Sequence, residues 1–294
     1  MRKVLRSLAA ALALVLFASG FMPDEGDRTM RRRLLMSGGA GAPSAKSYVQ
    51  DGLVCLWDGI ENVGYGVHDG AATGWVDLVG GLSIPLCRDA FFTGDSLQIL
   101  VSDDWASASS PAGNYCSVVS NTEVPQDLKD AFATTDSTTV EGVWRIANKE
   151  TNPHNNSEKI GVVFAPTDSP YTLMGYLRYG NPHYITFNPT GHTRYVPQED
   201  ETVAQSAVFV NNGKSVGYID GVQKITQSGN KYFKRVFNNI YRPLVLGSES
   251  HYKGENFRHT IVHSIRLYNR ALTPGEVAAN YAIDAARFGI GGGA

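Results

Sequence analysis

Cysteine is scarce and unpatterned. Cys55, Cys87 and Cys116 are the only three in 294 residues, and no C-x-x-C spacing occurs, so neither a disulfide framework nor a cysteine zinc site is indicated. They read as small buried hydrophobes; a Cys55–Cys87 or Cys87–Cys116 bridge stays open to an exported chain. An excess of positive charge is also missing. Lys+Arg number 26 and Asp+Glu 28, a formal net charge of -2, which argues against a nucleic-acid binder that works by neutralising phosphates. The apolar run Leu8–Phe17 falls short of the about 20 residues a bilayer span needs, so no stable transmembrane span is expected in a mature chain. No internal repeat is visible. Nor is there a G-x-S-x-G elbow, an H-E-x-x-H pair or a glycine-rich phosphate loop. On these absences the chain is expected not to be an enzyme.

Disorder is excluded by what is present: 43% hydrophobic and 18% charged residues supply ample material for a core. Met1–Met22 has a basic start at Arg2, Lys3 and Arg6, then its apolar run, then Ala18, Ser19 and Gly20, the layout of a secretory signal peptide. Met30 offers a second start, MRRRLLMSGG, which would make the upstream leader a mis-assignment. Residues 23–47 are basic and then rich in Gly, Ala, Ser and Pro, as in a linker. A single domain is expected over 48–290, with 291–294 as a flexible tail. Export implies a secreted or cell-surface protein; a start at Met30 implies a cytoplasmic or virion-associated one.

The most informative stretch is His259–Gly289. Ile261, His263, Ile265 and Leu267 alternate with Thr260, Val262, Ser264, Arg266 and Tyr268, the period of a strand with a buried face. Thr273 then predicts an N-cap, Pro274 the first helical position and Glu276 the returning half of a capping box. Val277, Tyr281, Ala285 and Phe288 form an apolar helical stripe, and Gly289 is placed to end it.

Upstream, Gly52–Asp58 is a β-rich run with Trp57 as a core anchor. Trp75 and Leu78 are expected to pack, with Asp77 bracing a turn. Short strands are predicted within Leu82–Leu100 and at Tyr115–Val119, and a turn or two of helix at Pro125–Phe132. After Thr135 the strand signals become regular: Thr139–Ile146 around Trp144, then Lys159–Ala165, Thr172–Tyr179 and His183–Phe187. Asn212-Gly213 and Asp220-Gly221 punctuate Ala204–Ile219 as hairpin turns. Many short strands and one convincing helix predict an all-β fold: an antiparallel two-sheet sandwich with a short C-terminal helix.

Three phrases resemble laminin G-type domains of the concanavalin A-like lectin and glucanase superfamily: the closing RLYNRALTPGEVAANY, the early DGIEN with HDGAATGWVDLVGG, and AVFVNNGKSVGYIDGVQK followed by PLVLG. The resemblance spans about Gly52 to Gly289. It implies a jelly-roll sandwich with Trp57, Trp75, Trp144, Ile265, Leu267 and Tyr281 as structural residues. His263 departs from the pattern, which has an acidic residue there. Glucanases of this superfamily carry E-x-D-x-x-E on one strand, placing two carboxylates on one face. The nearest cluster here, Glu199, Asp200 and Glu201, is contiguous and reads as a solvated loop.

Laminin G-type domains also hold calcium at a loop rim, and Asp58, Glu61, Asn62 and Asp69 are the matching oxygen donors; the same residues are ordinary turn formers in a Gly-rich loop. His259 and His263 lie two same-face spacings apart on a strand, too far for easy ligation of one ion, and read as structural with His251. For sugar binding, Tyr176, Arg178, Tyr179, His183 and Tyr184 offer aromatic faces beside hydrogen-bonding groups on adjoining strands, where strand propensity alone also favours tyrosine. The expected function is a non-catalytic recognition module for a glycan or a surface protein. The alternatives are a structural or adhesive component of a viral or envelope assembly, and a glycan-cleaving enzyme with an atypical carboxylate pair.

Overall fold

The computed structural model describes residues 43–86, 90–99, 115–118, 125–133, 135–147, 158–166, 176–179, 184–187, 191–192, 201–210, 213–228, 240–248 and 259–291. For the strands of 115–118, 158–192 and 240–248 the description is of backbone and pairing. The chain enters through a 3-10 turn, Ala45–Ser47, closed by a Ser44 capping box. Composition reads these residues as linker. Here Ala45 is buried and its N–H donates to Glu61 Oε1 at 2.7 Å.

Strands β1 (Leu53–Asp58), β2 (Gly74–Val76), β3 (Ser83–Pro85), β4 (Ala90–Phe92), β5 (Leu97–Ile99) and β6 (Tyr115–Val118) precede helix α1 (Gln126–Ala133). Then come β7 (Ser137–Ala147), β8 (Glu158–Pro166), β9 (Tyr176–Tyr179), β10 (Tyr184–Phe187) and β11 (Gly191–His192). Strands β12 (Thr202–Val210), β13 (Lys214–Ile219), β14 (Val222–Ser228), β15 (Ile240–Ser248) and β16 (His259–Tyr268) follow, and helix α2 (Pro274–Phe288) closes the fold. The strands make an all-β sandwich of antiparallel sheets. One sheet has eight strands, ordered β14-β13-β12-β7-β16-β5-β4 with β1 also on β16; the second has six, ordered β11-β10-β9-β8-β15-β6; β2 and β3 form a small ribbon.

Strand β16 is the axis of the large sheet. It pairs with β7 along one edge, and on the other with β5 through Thr260–Val262 and with β1 through Ser264–Tyr268. The register against β7 shifts between Val262 and Ser264. That shift corrects the strict alternation expected of this segment. A bulge inserts one residue into the period of two, so Val262, not Ile261, joins Ile265 and Leu267 in the cluster with Trp57, Trp75, Trp144 and Val140. Two of the three indoles in the cluster donate to backbone carbonyls: Trp57 Nε1 to Leu82 O at 3.3 Å and Trp75 Nε1 to Asp58 O at 3.0 Å. Cys55 lies in the same cluster as a free thiol, its pKa pushed well up by burial and by Asp77.

Local signals fix the joints. Asp77 accepts from Leu56 N at 2.7 Å, Val79 N at 3.0 Å and Gly80 N at 2.8 Å, tying the 77–81 turn to β1. Asp220 and Gly221 both take positive φ, 50° and 72°, the conformation of a two-residue hairpin turn whose twist suits paired strands. Thr273 and Glu276 form the reciprocal capping box, and Gly289 ends α2 in the left-handed region at φ 67°.

The buried side of α2 follows the apolar stripe Val277, Tyr281, Ala285 and Phe288 only at its ends. Its buried residues are Val277, Asn280, Asp284, Arg287 and Phe288, while Tyr281 and Ala285 are half-buried. The cause is the sheet beneath, which presents buried Arg266 and Glu141 and so draws polar partners inward. Among the described residues no helix is long and apolar enough to cross a membrane.

Candidate functional site

Two regions concentrate polar chemistry, and they differ in kind. The first is the layer between α2 and the large sheet. Arg266, 1% exposed, donates through Nε to Glu141 Oε2 at 2.9 Å and forks onto Asp284, Nη1 to Oδ1 at 2.7 Å and Nη2 to Oδ2 at 2.6 Å. Tyr48 lies under the guanidinium, 4.1 Å from ring centroid to Cζ, and its hydroxyl donates to Asp284 Oδ1 at 2.8 Å. Asn280 Nδ2 donates to Glu141 Oε2 at 2.7 Å, and Ser206 Oγ to Glu141 Oε1 at 2.9 Å. Burial works against the charge on Arg266, but Asp284 and Glu141 outweigh it and hold its pKa well above the ordinary value. Glu141 moves the other way: burial raises its pKa in spite of Arg266.

The second arginine of this layer reaches the residues expected at a calcium rim. Arg287 Nη2 donates to Asp58 Oδ1 at 2.7 Å and Nη1 to Glu61 Oε1 at 3.0 Å. Asp58 Oδ1 also accepts from Ile60 N and Glu61 N, and Glu61 Oε2 from Gly66 N. Asn62 and Asp69 bond each other through side chain and backbone, and Asp69 Oδ1 accepts from Ala71 N. Asp58, Glu61 and Asn62 are buried and Asp69 is exposed. The positive charge beside Asp58 and Glu61 is therefore a guanidinium of the chain itself. Among the described residues no group of three or more His, Cys, Asp or Glu is arranged to hold a metal ion.

His263 is buried at the bulge, its Nδ1 3.2 Å from Asp95 O and 3.8 Å from Asp95 Oδ2, with its ring 5.1 Å from that of Phe288. His251 lies outside the described residues. His259 opens β16 opposite Ala147.

The second region is the six-stranded sheet. Its register pairs Tyr184 with Arg178, Ile185 with Leu177 and Thr186 with Tyr176. Directly opposed residues share a face and neighbours along a strand alternate. Tyr176, Arg178, Tyr184 and Thr186 thus occupy one face of β9 and β10. Tyr179 falls on the other, opposite Glu158, and His183 lies outside the described residues.

Sequence reasoning missed two further members of the first face. Lys159 of β8 stands opposite Arg178, and His192 of β11 opposite Thr186. The missing signal was the pairing itself, since nothing local in EKIG or GH announces a partner in another strand. By contrast, Asn280, Asp284 and Arg287 recur at helical spacing within one segment, a polar stripe that is legible locally.

No known protein family's sequence pattern matches the chain, and no curated protein does. Solved structures do share its fold. Trypanosoma rangeli sialidase in complex with sialic acid matches at 14% identity and TM-score 0.53, over 83% of this chain and 34% of the sialidase. A mutant of that sialidase displaying trans-sialidase activity matches at 16% identity and TM-score 0.55, over 85% of this chain and 35% of its own. The binding domain of Paraclostridial Mosquitocidal Protein 1 matches at 11% identity and TM-score 0.51, over 78% of this chain and 52% of its own. The chain spans about a third of the sialidases' length, and likeness at such identity is one of fold. It is enough to correct the expectation that the chain is not an enzyme. The architecture recurs within chains of glycoside-cleaving enzymes, whose catalytic groups need not form a short linear motif, so the missing signatures exclude no activity.

Proposed function

We propose that this chain is a carbohydrate-recognition module of laminin G-like, jelly-roll type, which binds its glycan on the face of β9 and β10 that carries Tyr176, Arg178, Tyr184 and Thr186. One observation carries the reading: the register that brings these four residues to the same face of adjoining strands. Sugar recognition asks for aromatic faces that cover C–H surfaces, beside donors and acceptors spaced for hydroxyls. Two tyrosines, a guanidinium and a threonine hydroxyl on neighbouring positions supply both. Support also comes from the company of the fold, which includes a toxin's binding domain and a sialidase crystallised with sialic acid.

The experiment is a glycan array probed with the full chain and with Tyr176→Ala/Tyr184→Ala. Binding to a defined set of glycans should fall at least about ten-fold in the double variant, the loss expected for removing stacking and hydroxyl contacts. Tyr179→Ala, on the opposite face, should leave it unchanged. A wild-type chain that binds no glycan, or a double variant that binds as well as wild type, would refute the assignment.

A further inference from the structure

The layer beneath α2 holds more acid than base. Glu141, Asp284 and Arg266 are each 1% exposed or less, and among the described residues Arg266 is the one cation bonded to either carboxyl group. Two carboxylates on one guanidinium leave a net negative charge out of water, and a buried acid in that position neutralises itself in preference to staying unpaired. The other basic groups of the region are engaged elsewhere. Arg287 faces Asp58 and Glu61, and His263 lies at the bulge beside Asp95. The remaining partners of the three are uncharged: Ser206 from β12, Ser264 and Tyr268 from β16, Asn280 from α2 and Tyr48 from the entering chain. Burial keeps both tyrosines protonated past their ordinary range.

Hydrogen bonding decides which acid takes up a proton. Asp284 has a guanidinium donor on each oxygen, Arg266 Nη1 on Oδ1 and Nη2 on Oδ2, with the Tyr48 hydroxyl also on Oδ1. A proton there would displace one of them. Glu141 differs. Its Oε2 receives Arg266 Nε at 2.9 Å and Asn280 Nδ2 at 2.7 Å, groups that only donate, whereas Oε1 has the Ser206 hydroxyl at 2.9 Å as its one hydrogen-bond partner among the described residues. A hydroxyl accepts as well as it donates. Oε1 can therefore carry a proton and point it at Ser206 Oγ with every other bond of the layer kept. Burial, opposed by Arg266 and reinforced by Asp284, shifts Glu141 in the same direction.

We infer that Glu141 carries a proton on Oε1 in the folded chain, donated to Ser206, and that this proton fastens α2 to the large sheet. Its loss at rising pH places a second negative charge where Asn280 and Asp284 of α2 and Tyr48 of the entering chain converge. The latch is closed in acid and slackens in base. A carboxyl group raised by folding stabilises the fold fully below its unfolded value of 4.5, and that contribution is lost as pH rises through the folded one.

The test follows the urea unfolding equilibrium of the full chain and of Glu141→Gln from about pH 4 to about pH 9. Glutamine reproduces the neutral acid, its amide N–H donating where the O–H does, and every other titrating group is common to both chains. The folding constant of wild type should bear a fixed ratio to the variant's near pH 4 and then fall relative to it by up to about ten-fold per pH unit, the slope of one linked proton, until Glu141 is ionised. Amide protection of α2, corrected for intrinsic exchange, should decline over the same range in wild type and not in the variant. Infrared titration in D2O reads wild type by itself: a protonated-carboxyl stretch should persist above about pH 6, where exposed acids are ionised, and should shift in Ser206→Ala, which lacks the acceptor. A ratio that stays level with pH, or that moves in favour of wild type as pH rises, overturns the inference. So does a wild-type spectrum with no carboxyl stretch above about pH 6, or a stretch that Ser206→Ala leaves in place, which belongs to another acid. A Glu141→Gln chain that fails to fold in acid counts against it equally, since the amide stands for the protonated group.

Discussion

Arg266 is buried between a strand carboxylate and a helix carboxylate, and each atom of its fork has an acceptor. A charge so placed contributes through completeness, because removing one member strands the others in a low-dielectric layer. Arg266→Ala should therefore cost about 3–5 kcal/mol, since Glu141 and Asp284 would remain without their guanidinium. Urea denaturation reads this directly, and a loss under about 1 kcal/mol would mean that the network is dispensable. An Arg266→Met/Glu141→Leu/Asp284→Leu triple variant should lose much less than the single one, because it removes the partners along with the charge. At this scale the chain is half legible. Asp77 as a turn brace and Trp57 as an anchor follow from residue type and neighbours. Asp58 and Glu61 look like cation ligands in sequence, and their cation is Arg287, 229 and 226 positions away, a pairing no local reading reveals.

Caps and turns are the most legible elements, because their chemistry lies within four residues. Thr273, Pro274, Glu276 and Gly289 occupy the positions in α2 that their types dictate. Glu276 also accepts a forked pair of bonds from Arg270, at 3.0 and 2.6 Å, and its pKa is lowered from 4.5 to about 2, first by that interaction and then by the Thr273 N–H. A depressed carboxylate stabilises the fold fully above its unfolded pKa. That contribution is lost as pH falls from 4.5 toward 2. The melting-temperature gap between wild type and Glu276→Gln should therefore close over this window, and a gap independent of pH would detach the cap from the ion pair. In the β13–β14 hairpin, Gly221 sits at φ 72° with Tyr281 Cδ1 3.1 Å from where a Cβ would stand. Gly221→Ala should cost about 1–2 kcal/mol from backbone strain alone, seen as a melting point lowered by about 2–8 °C. Less legible is β16, where the bulge at His263 moves Val262 onto the core face, because the extra residue answers a change of partner strand, from β5 to β1.

The whole molecule is assembled from contacts that local patterns do not encode. Alternation and hairpin turns predict a sandwich, and the sheets bear that out, but the order β11-β10-β9-β8-β15-β6 joins segments more than a hundred residues apart. The proposed glycan face exists only through that order, so the places of Lys159 and His192 on it are not legible from their own segments. The same holds for the closure of the fold. Tyr48 donates to Asp284 across 236 residues, and Val49 N donates to Asn280 Oδ1 at 3.0 Å. Helix α2 thus covers Leu56, Val143, Ala204 and Arg266 on the large sheet and also holds the entering chain against it. If α2 were a decoration, a chain ending at Leu272 would keep the sandwich and lose only the helix's own signal. The buried layer argues otherwise. Without Asn280 and Arg287 the carboxylates of Glu141, Asp58 and Glu61 lose donors, without Asp284 the Arg266 fork loses its acceptor, and an apolar strip of the sheet meets water. The truncated chain should therefore show no cooperative urea transition and should lose the dispersed amide resonances of β7 and β16. A truncated chain that unfolds with wild-type cooperativity would show that the sandwich stands without its closing helix.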